Sequence, residues 1–401
     1  MSNSILTAVE IGTTRTQVLV GEPTRSGNIN VIGVGDVPSY GVRKGMVSST
    51  QDALGSLLAA LKDAQETSDV QVRYIQLGIA NSSVETKPNV GTLSFHDADH
   101  TVTADDIEDV EDLAYAFSLR PDRELMHSFP VSYSINDQHY IQNPMGMRAS
   151  SLSLRAIAIH AAHDRTENVC QVCRNAQLEI DSASFSGLAA AEAVFTDEQK
   201  QNGVAVIDLG GGTTKFLVCE RNTLTDAGVI GIGGNHLTND LAVAFGVATA
   251  VAEKLKREHG SALLTQEAGA ARCTLPGNTF TAERTISVRA VQTVTNARMD
   301  ELFRLVRARL VESGALHRIG SGIVLTGGGA ALPQVAELAS GVFGLPCAVA
   351  RALKAQGLPL DHPPAAYATL VGLLRIGNAM LENEVSSSPM TNWLRKFLRK
   401  P

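Results

Sequence analysis

The sequence predicts an α/β protein made of two similar lobes that face each other across a cleft. The chain has 401 residues, two to three times the usual size of one domain, so at least two hydrophobic cores are expected. Two β-hairpins with the same residue pattern lie 198 positions apart along the chain. Each turns on glycine and threonine, and a third glycine-rich turn follows a later apolar strand. The repeated pattern indicates an internal duplication of two α/β halves.

Composition predicts a folded chain. Hydrophobic residues make up 44%, charged residues 19%, and the mean hydropathy is +0.03, which is enough apolar material for sizeable cores. No apolar run reaches the roughly 18 residues that span a bilayer, and no signal peptide is expected. The five cysteines are too sparse for a disulfide framework, so a cytoplasmic setting is expected. Cys170 and Cys173 have zinc-ligand spacing, but without a second such pair we interpret them as ordinary helical residues.

The formal net charge of −7 is unevenly distributed. Residues 390–401 carry four basic side chains and no acid, so the remaining body carries −11. An acidic body of this size argues against nucleic-acid binding. The basic C-terminal segment needs an explanation of its own.

The first half of the chain is expected to alternate strands and helices. Hydrophobic periodicity of about 3.6 residues marks helices, and alternation marks strands. Thr103 and Asp106 resemble a capping box at the start of an acidic helix, whose acids form either a solvated face or a contact for a basic partner. The expected elements are a hairpin over 5–22, a helix over 53–66, a strand over 74–80, the acidic helix over 103–119, strands over 131–139 and 151–160, and a helix over 164–177.

The second half repeats the hairpin and then becomes more helical. Pro333 suits the first turn of a helix because its missing amide is not needed there. The expected elements are a hairpin over 203–220, a glycine-rich turn over 231–235, helices from Thr238, over 249–259 and over 286–312, a buried strand over 323–326 and a helix near Pro333. The polar stretch 382–389 is expected to be a flexible linker.

Three glycine-rich turns indicate phosphate binding. Glycine lets the backbone approach a ligand closely and turn its amides toward it, and threonine hydroxyls add donors. One such turn is a weak signal, whereas three, two of them in duplicated hairpins, are specific. Their residues are Gly12, Thr13 and Thr14 in the first, Gly210, Gly211, Gly212, Thr213 and Thr214 in the second, and Gly327, Gly328 and Gly329 in the third.

Two common phosphate motifs are excluded. The sequence has no GxxxxGK[ST] element, and GGGTTKFLV continues into a strand where a dinucleotide fingerprint would enter a helix. The phosphates are therefore expected to lie between the two hairpins. There the carboxylates of Asp208 and Glu10 would act through a hard cation, which predicts Mg²⁺.

At these motifs the sequence resembles the actin-like ATPase superfamily and, within it, the FtsA family of bacterial cell-division proteins. AVEIGTTRTQVLV and VIDLGGGTTKFLV match the two phosphate hairpins of the superfamily, and GIVLTGGGAALP matches its adenosine motif. The likeness to the FtsA family covers nearly the whole chain. It includes IGVGDVPSYGVRKGMV, SINDQHYIQNPMGM, GGNHLTNDLAVAFG, AEKLKREHG and the amphipathic C-terminal segment.

The resemblance implies further binding residues. Glu253 and Lys256 match positions that hold the ribose and base of ATP, although without the resemblance they would read as helix-surface residues. Gly234 and Asn235 match the turn beside the nucleotide.

A partner site is also implied by the resemblance. Arg298 and Glu301 match a region that receives the C-terminal peptide of FtsZ, although Ala297 stands where proline is usual. The alternative interpretation is ordinary charges on a helix surface.

Two departures from the family pattern concern catalysis. Glu10 stands where the superfamily favours aspartate, and its longer arm loosens metal geometry. Lys215 stands where aspartate usually follows GGGTT, so it either brings a positive charge near the phosphates or points to solvent. Asp208 is the expected catalytic residue. The chain is expected to bind ATP and to hydrolyse it slowly at most.

The C-terminal segment reads as a membrane anchor. On a helical wheel its apolar side chains fall within about 140°, and its basic side chains fall in the remaining arc, which is typical of a helix lying in a membrane interface. A helix docked on the body is the alternative. The residues are Trp393, Leu394, Phe397 and Leu398 on one face and Arg395, Lys396, Arg399 and Lys400 on the other.

The expected function combines these features. The chain is predicted to be an ATP-binding, filament-forming adaptor, at most a slow ATPase, that tethers the FtsZ ring to the cytoplasmic face of the inner membrane and recruits later division proteins.

The expected domains follow the chain in this order: a first lobe over 1–83, an inserted self-association subdomain over 84–161, the first lobe again over 162–202, a second lobe over 203–358 with an outer subdomain over about 233–305, a return to the first lobe over 359–381, the linker over 382–389 and the membrane helix over 390–401.

Two other functions remain open from the sequence. One is a small-molecule kinase on the same fold, although no substrate-signature block stands out. The other is an actin-like platform protein of pilus assembly, against which the basic amphipathic segment argues.

Overall fold

The structure is a computed structural model that describes residues 5–24, 27–97, 99–136, 138–277, 282–351, 353–360 and 362–385. Its strands within these residues are β1 Leu6–Ile11, β2 Arg15–Pro23, β3 Ile29–Pro38, β4 Val42–Arg43, β5 Met46–Val47, β6 Tyr74–Ile79, β7 Glu85–Ser94, β8 Arg123–Ile135, β9 Gln138–Ile141, β10 Ser151–Ala162, β11 Glu179–Phe185, β12 Val204–Leu209, β13 Thr214–Glu220, β14 Thr223–Ile230, β15 Arg272–Leu275, β16 Arg284–Ser287, β17 Ile323–Thr326, β18 Cys347–Val349 and β19 Ala355–Gln356. Its α-helices are α1 Thr50–Ser68, α2 Ala104–Tyr115, α3 His163–Asn175, α4 Ser186–Val194, α5 Asp197–Asn202, α6 Gly234–Phe245, α7 Thr249–His259, α8 Val288–Glu312, α9 Val335–Phe343 and α10 Ala368–Val385.

The two large sheets have the same core topology. The first has the strand order β11-β6-β1-β2-β3-β19, and the second has the order β14-β13-β12-β17-β18. In each, three antiparallel strands follow one another, and the first of them also pairs in parallel with a later strand, β6 or β17. The predicted duplication and two-lobed α/β fold are confirmed.

The hairpins keep the same register in both halves. In the first, Glu10 lies opposite Gln17, and in the second Asp208 lies opposite Lys215. In each hairpin this is the second residue pair counted from the turn. The carboxylates thus come to equivalent places at the ends of β1 and β12.

Helices α4 and α10 cross between the two sheets. Helix α10 packs on strands β1, β2 and β6 of the first sheet, and α4 packs on β12 and β13 of the second. At the crossing, a Cβ atom on Gly372 would overlap the carbonyl oxygen of Ala189. Glycine is needed there because backbone approaches backbone.

A buried charge network joins three helices at this crossing. Glu192 of α4 accepts hydrogen bonds from Arg375 of α10, at 3.0 and 3.2 Å, and from Lys200 of α5 at 3.4 Å. The side chains of Glu192 and Lys200 are each 2% exposed. Buried charges are tolerated when they are paired in this way, and the network fixes the relative position of the helices.

A separate four-stranded sheet, in the order β7-β10-β8-β9, is inserted between β6 and α3 along the chain. Helix α2 packs on it through buried Val110 and Ala114. Strand β14 of the second lobe contacts this sheet, where Thr86 Oγ1 donates to Asp226 Oδ1 at 3.4 Å. The inserted sheet therefore rests on the second lobe.

The outer part of the second lobe is helical. Helices α6, α7 and α8 enclose a small core with the hairpin β15–β16, and its buried residues include Leu241, Leu255 and Val291. This core positions the amino-terminal end of α6 and one face of α7 toward the first lobe's hairpin.

The inserted segment contains two differences from the expected elements. Helix α2 ends at Tyr115 instead of 119, because Asn89 Nδ2 caps its last turn by donating to the carbonyl oxygen of Ala114 at 2.9 Å. Strand β8 begins at Arg123 instead of 131, since a bulge at Val131 of β8 accommodates Pro130 within the ladder.

At the C-terminal end, helix α10 continues through residues 382–385, which were expected to belong to the flexible linker. Asn378 Nδ2 donates to Glu382 Oε1 at 3.0 Å, one helical turn away, which favours continuation of the helix. No helix in the described ranges is long and apolar enough to cross a membrane.

The crossing of α4 and α10 gives a stability prediction. Gly372→Ala should lower the free energy of unfolding by about 1–3 kcal/mol, because the new methyl group forces apart two backbones in contact. The matched control is Gly341→Ala in α9, where a Cβ would meet nothing within 4 Å. That substitution should raise stability by up to about 1 kcal/mol, since alanine favours the helix. Urea unfolding measures both, and equal stability changes would contradict the packing at Gly372.

Candidate nucleotide cleft

The two phosphate turns have the same geometry. The amide of Gly12 donates to the carbonyl oxygen of Arg15 at 3.0 Å, and the amide of Gly210 donates to that of Thr213 at 3.0 Å. A Cβ on either glycine would lie 2.7 Å from the same carbonyl oxygen. Both turns thus require glycine at their first position, as the repeated sequence pattern indicated.

The turns lie against each other across the cleft. Gly212 faces the side chain of Thr13, and Gly211 faces that of Thr14, so that a Cβ on either glycine would overlap a threonine hydroxyl. The amide of Gly45 donates to Thr13 Oγ1 at 2.9 Å. The second turn can approach the first only because it has no side chains at these positions.

The start of helix α6 is docked on the second turn. The amides of Gly234 and Asn235 donate to the carbonyl oxygens of Gly210 and Gly211 at 2.9 and 2.8 Å. The side chain of Asn235 also accepts a hydrogen bond from Thr14 Oγ1 at 3.1 Å. Asn235 therefore connects α6 to both turns.

The third glycine turn closes the floor of the cleft behind Asp208. Gly327 has a φ of +80°, and a Cβ there would overlap the Asp208 carboxylate. Its amide donates to the carbonyl oxygen of Ala365 at 2.9 Å. A Cβ on Gly328 would meet nothing within 4 Å, so the backbone of this turn faces open space.

Helix α7 carries an ion-paired cluster at the other end of the cleft. Lys256 Nζ lies 2.6 Å from Glu253 Oε2 and donates to Thr238 Oγ1 at 2.9 Å and to the Gly234 carbonyl oxygen at 3.2 Å. Burial would raise the pKa of Glu253, but hydrogen bonds from Lys256 and Thr238 lower it to about 2. Glu253 is thus a carboxylate at neutral pH, held beside α6.

Between these elements lies a cavity of about 370 Å³, a size typical of ligand sites. It brings together residues from both hairpins, the third turn, α6 and α7. Of the predicted residues, it is lined by Glu10, Gly12, Thr13, Thr14, Asp208, Gly210, Gly211, Gly212, Thr213, Gly234, Asn235, Glu253, Lys256, Gly327, Gly328 and Gly329.

Thr214 does not line the cavity. Its side chain is fully buried, and its hydroxyl donates to the carbonyl oxygen of Ile232 at 2.9 Å. Thr214 is the first residue of β13, and its side chain is engaged with the neighbouring chain segment. The expectation that Thr214 contacts the ligand was wrong for this reason.

The predicted Mg²⁺ ligands are occupied by a protein cation. Lys215 Nζ donates to Asp208 Oδ2 at 2.8 Å and lies 3.2 Å from Glu10 Oε1, and all three side chains are at most 13% exposed. Burial alone would lower the pKa of Lys215, but the two carboxylates raise it. No group of three or more acidic, histidine or cysteine side chains in the described chain could hold a metal. The donor set does not fit Mg²⁺ as predicted.

Asp36 is a part of the cleft that the sequence motifs did not mark. It accepts hydrogen bonds from Arg15, from Gln17 Nε2 at 3.1 Å and from the Tyr367 hydroxyl at 3.3 Å. Arg15 and Gln17 stand within the first hairpin motif, so their polar character was the available signal. Asp36 lies on β3, and the pairing of β2 with β3 brings it beside Arg15 and Gln17.

The predicted partner residues are engaged with each other. Arg298 of α8 forms a bidentate ion pair with Asp240 of α6, in which Nε and Nη2 donate to the two carboxylate oxygens at 2.6 and 3.0 Å. It forms a further ion pair with Glu301. Arg298 is 25% exposed and Glu301 is 52% exposed at the side chain. Arg298 therefore also holds α8 to α6, and Glu301 is the more accessible of the two.

The predicted membrane residues 390–401 lie outside the described residues, as do 386–389 of the expected linker. All five cysteines are described and free, and Cys170 and Cys173 are buried in α3. Burial raises the pKa of the Cys173 thiol to about 12. Their interpretation as ordinary helical residues agrees with this burial.

Comparison with solved structures identifies the fold. A PilM–PilN type IV pilus biogenesis complex matches with a TM-score of 0.61 and 16% identity, over 92% of this chain and 97% of that one. MreB5 of Spiroplasma citri bound to AMPPNP matches with a TM-score of 0.58 and 14% identity, over 96% of this chain and 99% of that one. The chain thus has the actin-like fold.

Family models match two parts of the sequence. The model described as "Cell division protein FtsA" matches residues 205–372, and the model "SHS2 domain inserted in FTSA" matches residues 81–160. The second match covers most of the inserted sheet.

Curated relatives extend the match to nearly the full length. Cell division protein FtsA of Pseudomonas aeruginosa is 31% identical over 376 residues, covering 94% of this chain and 90% of that protein. The Escherichia coli K12 protein of the same name is 29% identical, covering 98% of each. With the two family models, these relatives show that the chain belongs to the FtsA family of cell division proteins.

Proposed function

We propose that this chain binds ATP in the cleft between its two phosphate turns and serves as a filament-forming membrane adaptor for the division ring. The observation that carries the nucleotide part is the pair of equivalent glycine turns, facing each other at one end of a cavity of about 370 Å³. Family membership supports the cell-division part.

The opposite end of the cleft suits the nucleoside. Glu253 and Lys256 are held rigidly by their mutual ion pair and by Thr238, which leaves carboxylate and ammonium groups at fixed positions on the cavity wall. Preorganised polar groups orient a ligand without the cost of ordering them on binding. This arrangement supports the assignment of the ribose and base to α7.

We expect ATP turnover to be slow. The carboxylate of Asp208 accepts hydrogen bonds from Lys215 at 2.8 Å and from Thr369 Oγ1 at 3.4 Å. A carboxylate held in an ion pair is a poor base for activating water, because its lone pairs are already engaged. Nucleotide binding and assembly are therefore the proposed primary roles, with hydrolysis secondary.

Self-association is proposed to use the inserted sheet. Its edge strand β7 carries Val90, which is 58% exposed, and the adjoining helix α2 carries Leu113, which is 46% exposed. An edge strand with exposed apolar side chains is a surface on which a second copy can pair.

The partners are proposed to be the C-terminal peptide of FtsZ, later division proteins and an anionic membrane surface. Arg298 and Glu301 are proposed to contact the FtsZ peptide. Trp393, Leu394, Phe397 and Leu398 are proposed to enter the membrane, with the four basic residues of 395–400 facing the lipid headgroups. The protein would then act at the cytoplasmic face of the inner membrane, at the division septum.

The nucleotide assignment predicts a loss of binding when the turns are forced apart. Gly211→Ala should weaken ATP binding at least about tenfold, because the new methyl group overlaps Thr14 and displaces the second turn. Calorimetric titration with ATP measures the effect. Gly269→Ala, where a Cβ would meet nothing within 4 Å, is the matched control. Equal affinities of the two variants would contradict the assignment.

The partner assignment is tested on one helix. Glu301→Arg should reduce the affinity for an FtsZ C-terminal peptide at least about fivefold, since it reverses a charge at the proposed contact. Glu312→Arg makes the same charge change about 16 Å further along α8 and should leave the affinity unchanged. Fluorescence anisotropy with a labelled peptide distinguishes them, and similar losses in both variants would argue for a nonspecific charge effect instead.

The membrane assignment is tested by co-sedimentation with vesicles of anionic lipid. Trp393→Glu places a charge on the apolar face and should abolish pelleting, as should removal of 390–401, because apolar burial supplies most of the binding free energy. Asn392→Glu introduces the same side chain on the polar face and should reduce pelleting only modestly. The proposal fails if the truncated chain pellets as well as the full chain.

A further inference from the structure

We propose that the ammonium group of Lys215 takes the place of a divalent cation in this cleft, so that nucleotide binding does not require Mg²⁺. This inference rests on the proposed nucleotide function and specifies how the phosphate charge is neutralised. It is carried by the position of Lys215, by its hydrogen-bond partners and by its unused donor.

The position of Lys215 is fixed by the second hairpin. The residue lies on β13 directly opposite Asp208 of β12, so the ladder brings the two side chains together. Its Cβ lies 3.4 Å from where a Cβ on Gly187 of α4 would stand, which leaves room for the lysine stem over that helix. The side chain is 6% exposed and reaches the cleft with its end group.

The ammonium bridges the two lobes. It donates to Asp208 Oδ2 of the second hairpin at 2.8 Å and to Glu10 Oε1 of the first at 3.2 Å. These are the two carboxylates that would otherwise need a shared cation to approach each other and a phosphate. The lysine supplies that cation from within the chain.

The same ammonium adjoins the phosphate turn. Its Nζ atom is 3.6 Å from the place where a Cβ on Gly210 would stand. An ammonium group has three N–H donors, and the structure records two acceptors for this one among the described residues. The third N–H is available to a phosphate oxygen in the cleft.

Lys256 provides an internal comparison. Its ammonium also lines the cleft, but it has three acceptors, in Glu253, Thr238 and the Gly234 carbonyl oxygen. All its donors are engaged by the protein. Lys256 therefore fixes Glu253 and the start of α6 at the nucleoside end of the cleft, whereas Lys215 keeps one N–H donor for a phosphate oxygen.

The local charge also disfavours a second cation. Asp208 and Glu10 together carry −2, and Lys215 reduces this to −1. A divalent ion at the carboxylates would have to displace the ammonium from two hydrogen bonds or sit beside it against like-charge repulsion. Lys215→Asp would change the local charge by two units, the charge of one Mg²⁺.

The test is calorimetric titration of the full chain with ATP and with a nonhydrolysable analogue, in excess MgCl₂ and in excess EDTA. The wild-type affinity should differ by less than about threefold between the two buffers. Lys215→Asp should bind at least about tenfold more weakly in EDTA than in MgCl₂, because it restores the need for a metal. Lys215→Arg, which keeps the charge, should resemble the wild type.

Lys256→Met is the matched control, since it removes a cation from the same cleft and should weaken binding equally in both buffers. Wild-type binding that falls tenfold or more in EDTA would overturn the inference while leaving the proposed nucleotide function intact. No binding by the wild type in either buffer would overturn both. The wild-type measurement decides the matter even if Lys215→Asp does not fold.

Discussion

The cleft depends on one close contact, the crossing of α4 and α10 at Gly372 and Ala189. Helix α10 packs on the first sheet and α4 packs mainly on the second, so the distance between their backbones affects the distance between the two phosphate hairpins. A side chain at the crossing would separate the sheets and, with them, the two turns. Glu192 reinforces the contact electrostatically, because its partners Arg375 and Lys200 come from helices on either side.

The acidic groups of the cleft each have a basic partner within the protein. Asp36 is paired with Arg15, Glu253 with Lys256, and Asp208 and Glu10 with Lys215. Burying unpaired charges would cost several kcal/mol each, so these ion pairs allow charged side chains to line a partly buried cavity. They also mean that the chemistry of the cleft depends on which donors remain unused.

Local sequence signals predicted the hairpins, their glycine turns and most helices, because strand alternation, helix periodicity and turn residues act over short distances. The predicted positions of helix ends were less accurate. The last turn of α2 is capped by Asn89 on a neighbouring strand, and a local sequence pattern does not reveal this contact. The cleft residues with strong motifs were found, whereas Asp36 was missed because its partners are distant in sequence. The Mg²⁺ prediction treated Asp208 and Glu10 separately from Lys215, whose ion pairs depend on register and on the meeting of two lobes.

The inserted sheet and the second lobe share a buried hydrophobic cluster. Phe129 and Ile159 of the sheet belong to the same buried cluster as Leu224 and Ala227 of the second lobe, and Thr86 bonds Asp226 across the boundary. The insertion follows β6 of the first lobe in the chain, and it packs on that lobe as well: the same cluster includes Leu6 and Ala8, and the amide of Phe185 donates to His127 Nε2 at 3.0 Å. Because this cluster spans both lobes, a change in the angle between the lobes would also change the packing of the insertion on at least one of them, which links opening of the cleft to the orientation of strand β7.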